Sequence, residues 1–183
     1  MTCLDLDDFC VGNSQLPLLD ELKARVPDLK VTLFTIPCPT GPIAMSPLEH
    51  AVWLTVVRQS RPWLEFAVHG WRHTFLECRD WSKADALEVL QRAETLAVYA
   101  RVFKAPYWET SPGLYDAIAE RGWVIADHPR NDALRPAGLR VYHLGPGRAH
   151  GHVQNVCDNG LAEQFAFYAS LQGPFKFVSE VMA

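Results

Sequence analysis

The feature that most constrains the fold is a regular alternation of short apolar segments with amphipathic helical segments. Apolar, β-branched runs that end at Pro, Gly or Asp are typical of buried strands. The predicted strands are residues 2–6, 30–36, 64–68, the segment that leads into Lys104, 123–126, 139–143 and 175–178. A strand and a helix recur about every 30 residues, which is the spacing of βαβ units. We therefore expect an α/β fold with a mainly parallel sheet, closed into a small or distorted (β/α) barrel.

Length and composition place the chain among ordinary globular proteins. Its 183 residues are enough for one domain with a proper core, so residues 1–183 are treated as a single domain. Hydrophobic residues make up 49% and charged residues 21%, and the net charge is −4. A negative net charge argues against a nucleic-acid partner. The sequence leaves the oligomeric state open.

The chain is expected to be cytoplasmic. No run approaches the roughly 18 apolar residues of a membrane span, so we expect no membrane partner. The acidic start of the chain lacks the basic region of a signal peptide. The cysteines form no CxxC pair and are expected to be reduced thiols; they are Cys3, Cys10, Cys38, Cys78 and Cys157.

Two pairs of polar residues follow predicted strands. Asp7 and Asp8 come directly after the first strand, and His69 and His73 come after the third. Residues four apart share a face on one turn of helix, so the two histidines can bind one metal ion. Of two adjacent carboxylates, one can bind a metal while the other acts as a general base. Taken alone, each pair could also be two solvated residues in a turn without a function, since pairs at these spacings also occur by chance.

Further candidates collect at the same edge of the predicted sheet. Lys104, Tyr107 and Trp108 follow one strand, and Asp127 ends another. Active sites of α/β proteins lie at the carboxyl ends of the parallel strands. The occurrence of all these candidates at that edge therefore favours a functional site. Candidates for a general acid are the late histidines, His150 and His152.

Together these residues resemble the metal-dependent polysaccharide deacetylases, the family 4 carbohydrate esterases with a distorted (β/α) barrel. The family's Thr-Phe-Asp-Asp-Gly segment is matched by residues 5–9, Asp-Leu-Asp-Asp-Phe. Its His-(Ser/Thr)-x-x-His motif is matched by residues 69–73, with Gly70 in the second place. Its Arg-x-Pro-Tyr motif is matched by residues 104–107, and its late histidine by His152 or His150. The first two motifs are fairly specific, and the last two are looser.

The resemblance implies a role for each matched residue in a single catalytic domain. Asp8, His69 and His73 would bind one divalent metal ion, with zinc expected and Co, Ni, Mn or Fe as alternatives. Asp7 would be the base, the Tyr107 N–H would stabilise the oxyanion, and His152 would protonate the leaving amine. Lys104, Pro106 and Trp108 are further candidates for contacts with the substrate or the oxyanion. His150 and Asp127 are secondary candidates for the site. Lys104 replaces the family arginine that orients the base, and Lys lacks its planar fork.

The implied activity is removal of an acyl group, expected to be acetyl, from an amide nitrogen of an N-acetylated sugar. The expected partner is a glycan or a small molecule. One alternative is an amidohydrolase of another small C–N substrate such as a nucleotide derivative, since Arg130, Arg135, Arg140 and Arg148 could hold a phosphate. The other is a catalytically silent relative that binds a glycan or a nucleotide.

Overall fold

The computed structural model describes residues 1–40, 45–143, 145–154 and 159–181. Its strands are β1 (Cys3–Phe9), β2 (Val31–Thr35), β3 (Leu64–His69), β4 (Val102–Lys104), β5 (Val124–Asp127), β6 (Val141–His143) and β7 (Arg148–His152). Its helices are α1 (Leu16–Arg25), α2 (Pro47–Ser60), α3 (Lys83–Leu96), α4 (Pro112–Arg121), α5 (Phe165–Ser170) and α6 (Val178–Val181). Short 3₁₀ turns occupy Pro106–Trp108 and Pro129–Leu134.

The described strands form one sheet in the order β6-β5-β4-β3-β2-β1-β7, and all neighbouring strands are parallel. The sheet curls into a half-barrel flanked by helices, which confirms the expected distorted (β/α) barrel. Its edge strands β6 and β7 are close in sequence, and the Arg148 guanidinium at the start of β7 donates to the His143 carbonyl at the end of β6. The carboxyl ends of the strands therefore gather around one opening.

The strands are buried on both faces because helices cover the outside and side chains fill the inside. On the outside, Leu6 and Leu33 pack in a large core that includes Leu19 of α1 and Leu54 of α2. The inside holds a separate apolar cluster, made of Cys3, Phe34, Ala67, Val102, Val124, Ala126, Tyr142 and Val178. Asp5, Asp7 and Lys104 place charged groups in the upper part of this interior, where the strands end.

Two helices begin at the sequence signals that mark an N-terminus. Ser46 and Glu49 form a capping box at α2, with Pro47 at the first helical position. Ser82 and Asp85 form the same reciprocal pair at α3. These caps fix the residue at which each helix begins, after the loops that follow β2 and β3.

Two strand assignments from the sequence are corrected. Residues 175–178 are not a strand: Phe175 makes one isolated bridge to Thr2, and α6 begins at Val178. Val178 instead enters the barrel interior, and its N–H donates to Thr32 Oγ1 near the start of β2. The strand β7 was not predicted, because Gly and His interrupt its apolar pattern. It pairs with β1 along its whole length and so carries the late histidines on a strand.

No helix in the described part of the chain is both long enough and apolar enough to cross a bilayer. The described cysteines are unpaired thiols, as expected; they are Cys3, Cys10, Cys38 and Cys78. Cys157 lies outside the described residues.

Candidate metal centre and catalytic cavity

Asp7 and Asp8 lie at a β-bulge near the end of β1. The register of β1 against β2 shifts between Leu6 and Phe9, which gives β1 one residue more than its neighbour. Asp8 adopts a φ of 66°, a left-handed backbone that is unfavourable for a residue with a side chain. Adjacent residues of a regular strand point to opposite faces. The bulge instead turns both carboxylates toward one cavity.

The two histidines of the second motif are brought together by a loop. His69 ends β3, and His73 lies in the irregular segment before α3, so the expected turn of helix is wrong. Positive φ values at Gly70 (61°) and His73 (58°) fold this loop back. Nδ1 of His69 lies 3.1 Å from the Lys104 carbonyl oxygen. Because a carbonyl only accepts, this bond places the proton on Nδ1 and leaves the Nε2 lone pair for a metal.

Asp8 and these two histidines converge on one point. Asp8 Oδ1 is 2.9 Å from His73 Nε2 and 3.3 Å from His69 Nε2. This oxygen is buried, yet no hydrogen bond from the described residues satisfies it. The other oxygen, Oδ2, accepts from Gln154 Nε2. A carboxylate oxygen and two imidazole nitrogens are a ligand set suited to zinc, and a buried, unsatisfied oxygen between them indicates that the three residues fit a divalent ion.

The ionisation of this cluster follows from its contacts. Burial alone would raise the pKa of Asp8, but His69 and His73 outweigh burial and lower it. Burial would likewise lower the pKa of His73, but the adjacent Asp8 carboxylate raises it. The carboxylate is therefore held as an anion beside the imidazoles, which is the form that binds a metal.

Lys104 lies at the centre of a second, fully buried cluster. Its Nζ is 2.7 Å from Asp7 Oδ1 and 2.9 Å from Asp5 Oδ2, and the side chain is 1% exposed. The rings of Phe34 and Trp108 lie 4.6 and 4.4 Å from Nζ. Burial would lower the pKa of Lys104, but Asp5 and Asp7 raise it. The ammonium therefore stays charged and fixes the Asp7 carboxylate in place.

Asp5 is a site residue that the sequence analysis did not single out. It is completely buried, and its Oδ2 also contacts His150 Nδ1 at 2.9 Å. Burial would raise the pKa of Asp5, but Lys104 and His150 lower it. The available signal was its position two residues before Asp7, on the same face of the strand.

Both late histidines face the barrel from β7. Nδ1 of His150 contacts Asp5, as above, and is 3.1 Å from Lys104 Nζ, while its Nε2 is 3.8 Å from Asp7 Oδ2. His152 lines the cavity, and its Nδ1 lies 2.8 Å from Asn159 Oδ1. Asp7, His150 and His152 also converge closely enough to hold an ion. The Lys104 ammonium already contacts two members of that group, which disfavours a second cation there.

The segment after Lys104 forms one wall of the cavity. Pro106 is buried and packs against Gly70, whereas Tyr107 is half-exposed above His73, with ring centroids 5.3 Å apart. Trp108 packs its ring edge-to-face on His150 at 5.5 Å. Arg130 donates to the Tyr107 carbonyl at 2.8 Å, which restrains this short turn.

The cavity has a volume of about 310 Å³. Its walls are formed by Asp7, Asp8, His69, His73, Ala105, Tyr107, Trp108, His152 and Gln154. Positive φ in a residue other than glycine occurs in the described chain at Asp8, Gln15, His73, Leu76, Ala97, Tyr107 and Trp108. More than half of these residues line this one cavity. Such strain persists where the surroundings impose it and is concentrated at functional sites.

Asp127 lies outside this cavity wall. Its carboxylate accepts from Tyr115 Oη at 2.8 Å, Asn131 Nδ2 at 2.7 Å and Arg135 Nε at 3.0 Å. A carboxylate with this many donors anchors the loop after β5 and has little capacity left for a substrate.

The predicted arginine patch is largely engaged within the protein. Arg135 pairs with Asp127 and Asp132, and Arg130 pairs with Glu109. Arg148 stacks over the Tyr142 ring at 4.3 Å. Of the four arginines, Arg140 alone shows no such partner in the described residues, so most of the patch is already engaged by other groups of the protein.

No protein-family model matches the sequence, and no curated protein matches it. Solved structures do match. The chitin deacetylase of the fungal pathogen Colletotrichum lindemuthianum has 18% identity and a TM-score of 0.60, with 100% of this chain and 87% of that chain covered. A peptidoglycan N-acetylglucosamine deacetylase, Bc1960, has 14% identity and a TM-score of 0.61, with 98% of this chain and 86% of that chain covered.

A third similar structure is a family 4 carbohydrate esterase pseudoenzyme from Bacillus anthracis, with 14% identity, a TM-score of 0.60 and coverage of 100% and 65%. The chain therefore has the fold of the family 4 carbohydrate esterases, as the motifs indicate. Because that fold includes a pseudoenzyme, activity must be argued from the residues of the cavity.

Proposed function

We propose that this protein is a metal-dependent deacetylase that hydrolyses the N-acetyl group of a sugar or sugar-containing molecule. One observation carries the proposal. Asp8, His69 and His73 converge on a buried, unsatisfied carboxylate oxygen, while the adjacent Asp7 carboxylate faces the same cavity and is held by Lys104. A ligand set beside a separately held base is what hydrolysis of an amide requires.

The ligands of the ion are Asp8, His69 and His73. A divalent ion in this position supplies Lewis-acid polarisation of the acyl carbonyl and activation of water. The Lys104 carbonyl orients His69, and Gln154 orients Asp8. Such outer contacts fix the ligand geometry before an ion binds. Zinc is the proposed ion because the set contains two imidazoles and one carboxylate.

Asp7 is the proposed general base. Its Oδ1 is occupied by the Lys104 ammonium, so Oδ2 is the oxygen that accepts the proton of the attacking water. Lys104 is too deeply buried to contact substrate and acts by holding Asp7. The lysine that stands in place of the family arginine presents one ammonium to both Asp5 and Asp7.

His152 is the proposed acid for the departing nitrogen. It lines the cavity on the β7 side, and the bond between its Nδ1 and Asn159 sets the ring orientation. His150 lies deeper, against Asp5 and Lys104, and is proposed to support the base. The Tyr107 N–H is the proposed oxyanion donor, in a turn restrained by Arg130.

The alternatives receive less support. A nucleotide derivative needs a free phosphate-binding cluster, whereas Arg130, Arg135 and Arg148 have partners within the chain. A silent binding protein has no need of a charged, buried base beside the ligand set. The resemblance to glycan deacetylases and the small cavity together favour a short N-acetylated sugar.

The decisive experiment is a screen for acetate release. Purified protein loaded with Zn²⁺ is incubated with N-acetylglucosamine, its short oligomers, N-acetylated sugar nucleotides and a non-sugar acetamide. We expect acetate from at least one N-acetylated sugar and none with Asp7→Asn. If the wild type binds zinc stoichiometrically but releases no acetate from any compound, the catalytic proposal is wrong. That result would favour a catalytically silent protein that binds a glycan or a nucleotide.

A further inference from the structure

The loop that presents His73 is organised around a single carboxylate. Glu77 accepts hydrogen bonds from three successive backbone N–H groups: Trp71 at 3.2 Å, Arg72 at 2.9 Å and His73 at 2.9 Å. Successive N–H groups that point at one spot form a nest with affinity for an anion. Bonds to a carboxylate are stronger than bonds between neutral groups.

The carboxylate of Glu77 reaches this position only because residue 70 is glycine. A Cβ at Gly70 would lie 2.5 Å from Glu77 Oε2 and 2.7 Å from Pro106 Cγ. The backbone there has a φ of +61°, which is also unfavourable for other residues. The resembling family has Ser or Thr in this place. Gly70 and Glu77 are therefore two parts of one arrangement.

The arrangement acts on a proposed metal ligand. His73 has no strand or helix to hold it, and its φ is 58°. Its N–H is bonded to Glu77, while its ring Nε2 is 2.9 Å from Asp8 Oδ1. The opposite side of the loop is tied down as well, since the Trp71 carbonyl accepts from the Cys38 N–H at 2.9 Å. Glu77 thus fixes the backbone from which the third ligand projects.

We propose that Glu77 is a positioning residue for the metal site, which sets the affinity for a divalent ion by holding the loop of residues 70–77 in its strained form. The inference rests on the proposed metal site. Without the carboxylate, the N–H groups turn to water, the loop relaxes and the His73 ring leaves Asp8. Loss of a contact that orients a ligand typically lowers metal affinity about 10- to 100-fold.

The test measures Zn²⁺ affinity by competition with a chromophoric chelator, together with the visible spectrum of the Co²⁺-substituted protein. Glu77→Gln removes the charge and replaces one acceptor oxygen with a donor. Glu77→Asp keeps the charge but shortens the reach to the three N–H groups. Gly70→Ala leaves Glu77 intact and pushes its carboxylate away. We expect each variant to bind Zn²⁺ about 10- to 100-fold more weakly and to alter the Co²⁺ spectrum.

The matched control is Glu94→Gln. Glu94 is also a partly buried carboxylate that accepts a hydrogen bond, from Trp123 Nε1 at 2.9 Å, and its ion pairs are with Arg101 and Arg121. This variant should lose some thermal stability and keep wild-type zinc affinity and spectrum. Wild-type affinity in Glu77→Gln and Gly70→Ala would overturn the inference. Failure of the wild type itself to bind Zn²⁺ would instead overturn the proposed metal site.

Discussion

Lys104 Nζ lies 2.7 Å from Asp7 Oδ1, and this contact joins β4 to β1 across the interior of the barrel. Both side chains are almost fully buried, and Asp5, also on β1, completes the cluster at 2.9 Å from Lys104 Nζ. Two carboxylates share one ammonium, so the cluster carries one net negative charge close to the proposed cation site. That charge, left over inside the protein, favours a divalent cation beside it.

Replacing Lys104 with Met should destabilise the metal-free protein by roughly 3–5 kcal/mol at neutral pH, because Asp5 and Asp7 lose their buried counter-charge. The pKa of Asp5 is lowered, so its contribution is present above the unfolded value near 3.9 and is lost as pH falls through the folded value. The pKa of Lys104 is raised, so its contribution to stability is fully present below the pKa of the unfolded chain, near 10.4. That contribution is lost as pH rises through the pKa of the folded protein.

Urea unfolding from acidic to alkaline pH measures this difference between wild type and Lys104→Met. The control is Lys83→Met, which removes a lysine paired with Glu120 at the surface and should cost at most about 1 kcal/mol. Equal losses for the two variants would contradict a buried ion-pair cluster.

Metal content should depend on three side chains. We expect about one tightly bound divalent ion per chain, at Asp8, His69 and His73, because the Lys104 ammonium disfavours a cation at the other convergent group. His69→Ala and His73→Ala should lose the ion, and Asp8→Asn should bind it more weakly because an amide is a poorer ligand. Elemental analysis of the purified proteins gives the stoichiometry. Unchanged metal content in both histidine variants would show that these residues do not form a metal site.

Asp7→Asn should separate metal binding from turnover. The amide cannot accept a proton, so turnover should fall by roughly 10²–10⁴-fold while the ion stays bound. Steady-state kinetics on the substrate from the acetate screen, combined with metal analysis, provide the measurement. Full activity in this variant would mean that another group is the base.

The two late histidines should differ in their effect on turnover. His152→Ala should lower kcat by roughly 10²-fold or more with metal content unchanged, because the proposed acid is lost from the cavity wall. His150→Ala should have a smaller effect on kcat. It should also destabilise the protein, because it removes a partner of the buried Asp5 carboxylate. The opposite ranking of the kcat values would identify His150 as the acid.

His50 should make stability depend on pH independently of the site. It is fully buried on α2 against Trp53, and burial lowers its pKa to about 4. In the unfolded chain the pKa of this histidine is near 6.5, so between these two pKa values the unfolded chain binds more protons than the folded protein. Stability therefore falls as pH drops through this window. The expected contribution is on the order of 3 kcal/mol. Unfolding of metal-free His50→Phe should show a correspondingly weaker loss below pH 6.5.

The order of elements was predictable because it depends on local patterns. The strands β2 and β3 match their predicted positions closely. The strand β7 was missed because its burial comes from pairing with β1, a contact between the two ends of the chain. Periodicity within one segment carries no information about such a distant partner.

The residues of the site were easier to predict than their geometry. Asp7, Asp8 and His69 were identifiable by type and order, but the bulge that turns Asp8 inward depends on a register shift between two strands. Glu77 and Gln154 gave no signal, because a carboxylate on three N–H groups and an amide on Asp8 exist only in the folded loops. Tertiary contacts decide these features, and local propensity does not.

The pairing of β1 with β7 sets the order in which the site can be assembled. Asp8, His69 and His73 all lie in the first 73 residues, whereas His150 and His152 arrive only when β7 docks beside β1. Pairings of this sequence separation close a long loop and form slowly. During folding, the three proposed metal ligands can therefore come together before the proposed proton donor reaches the cavity, while Gln154, which orients Asp8, arrives together with β7.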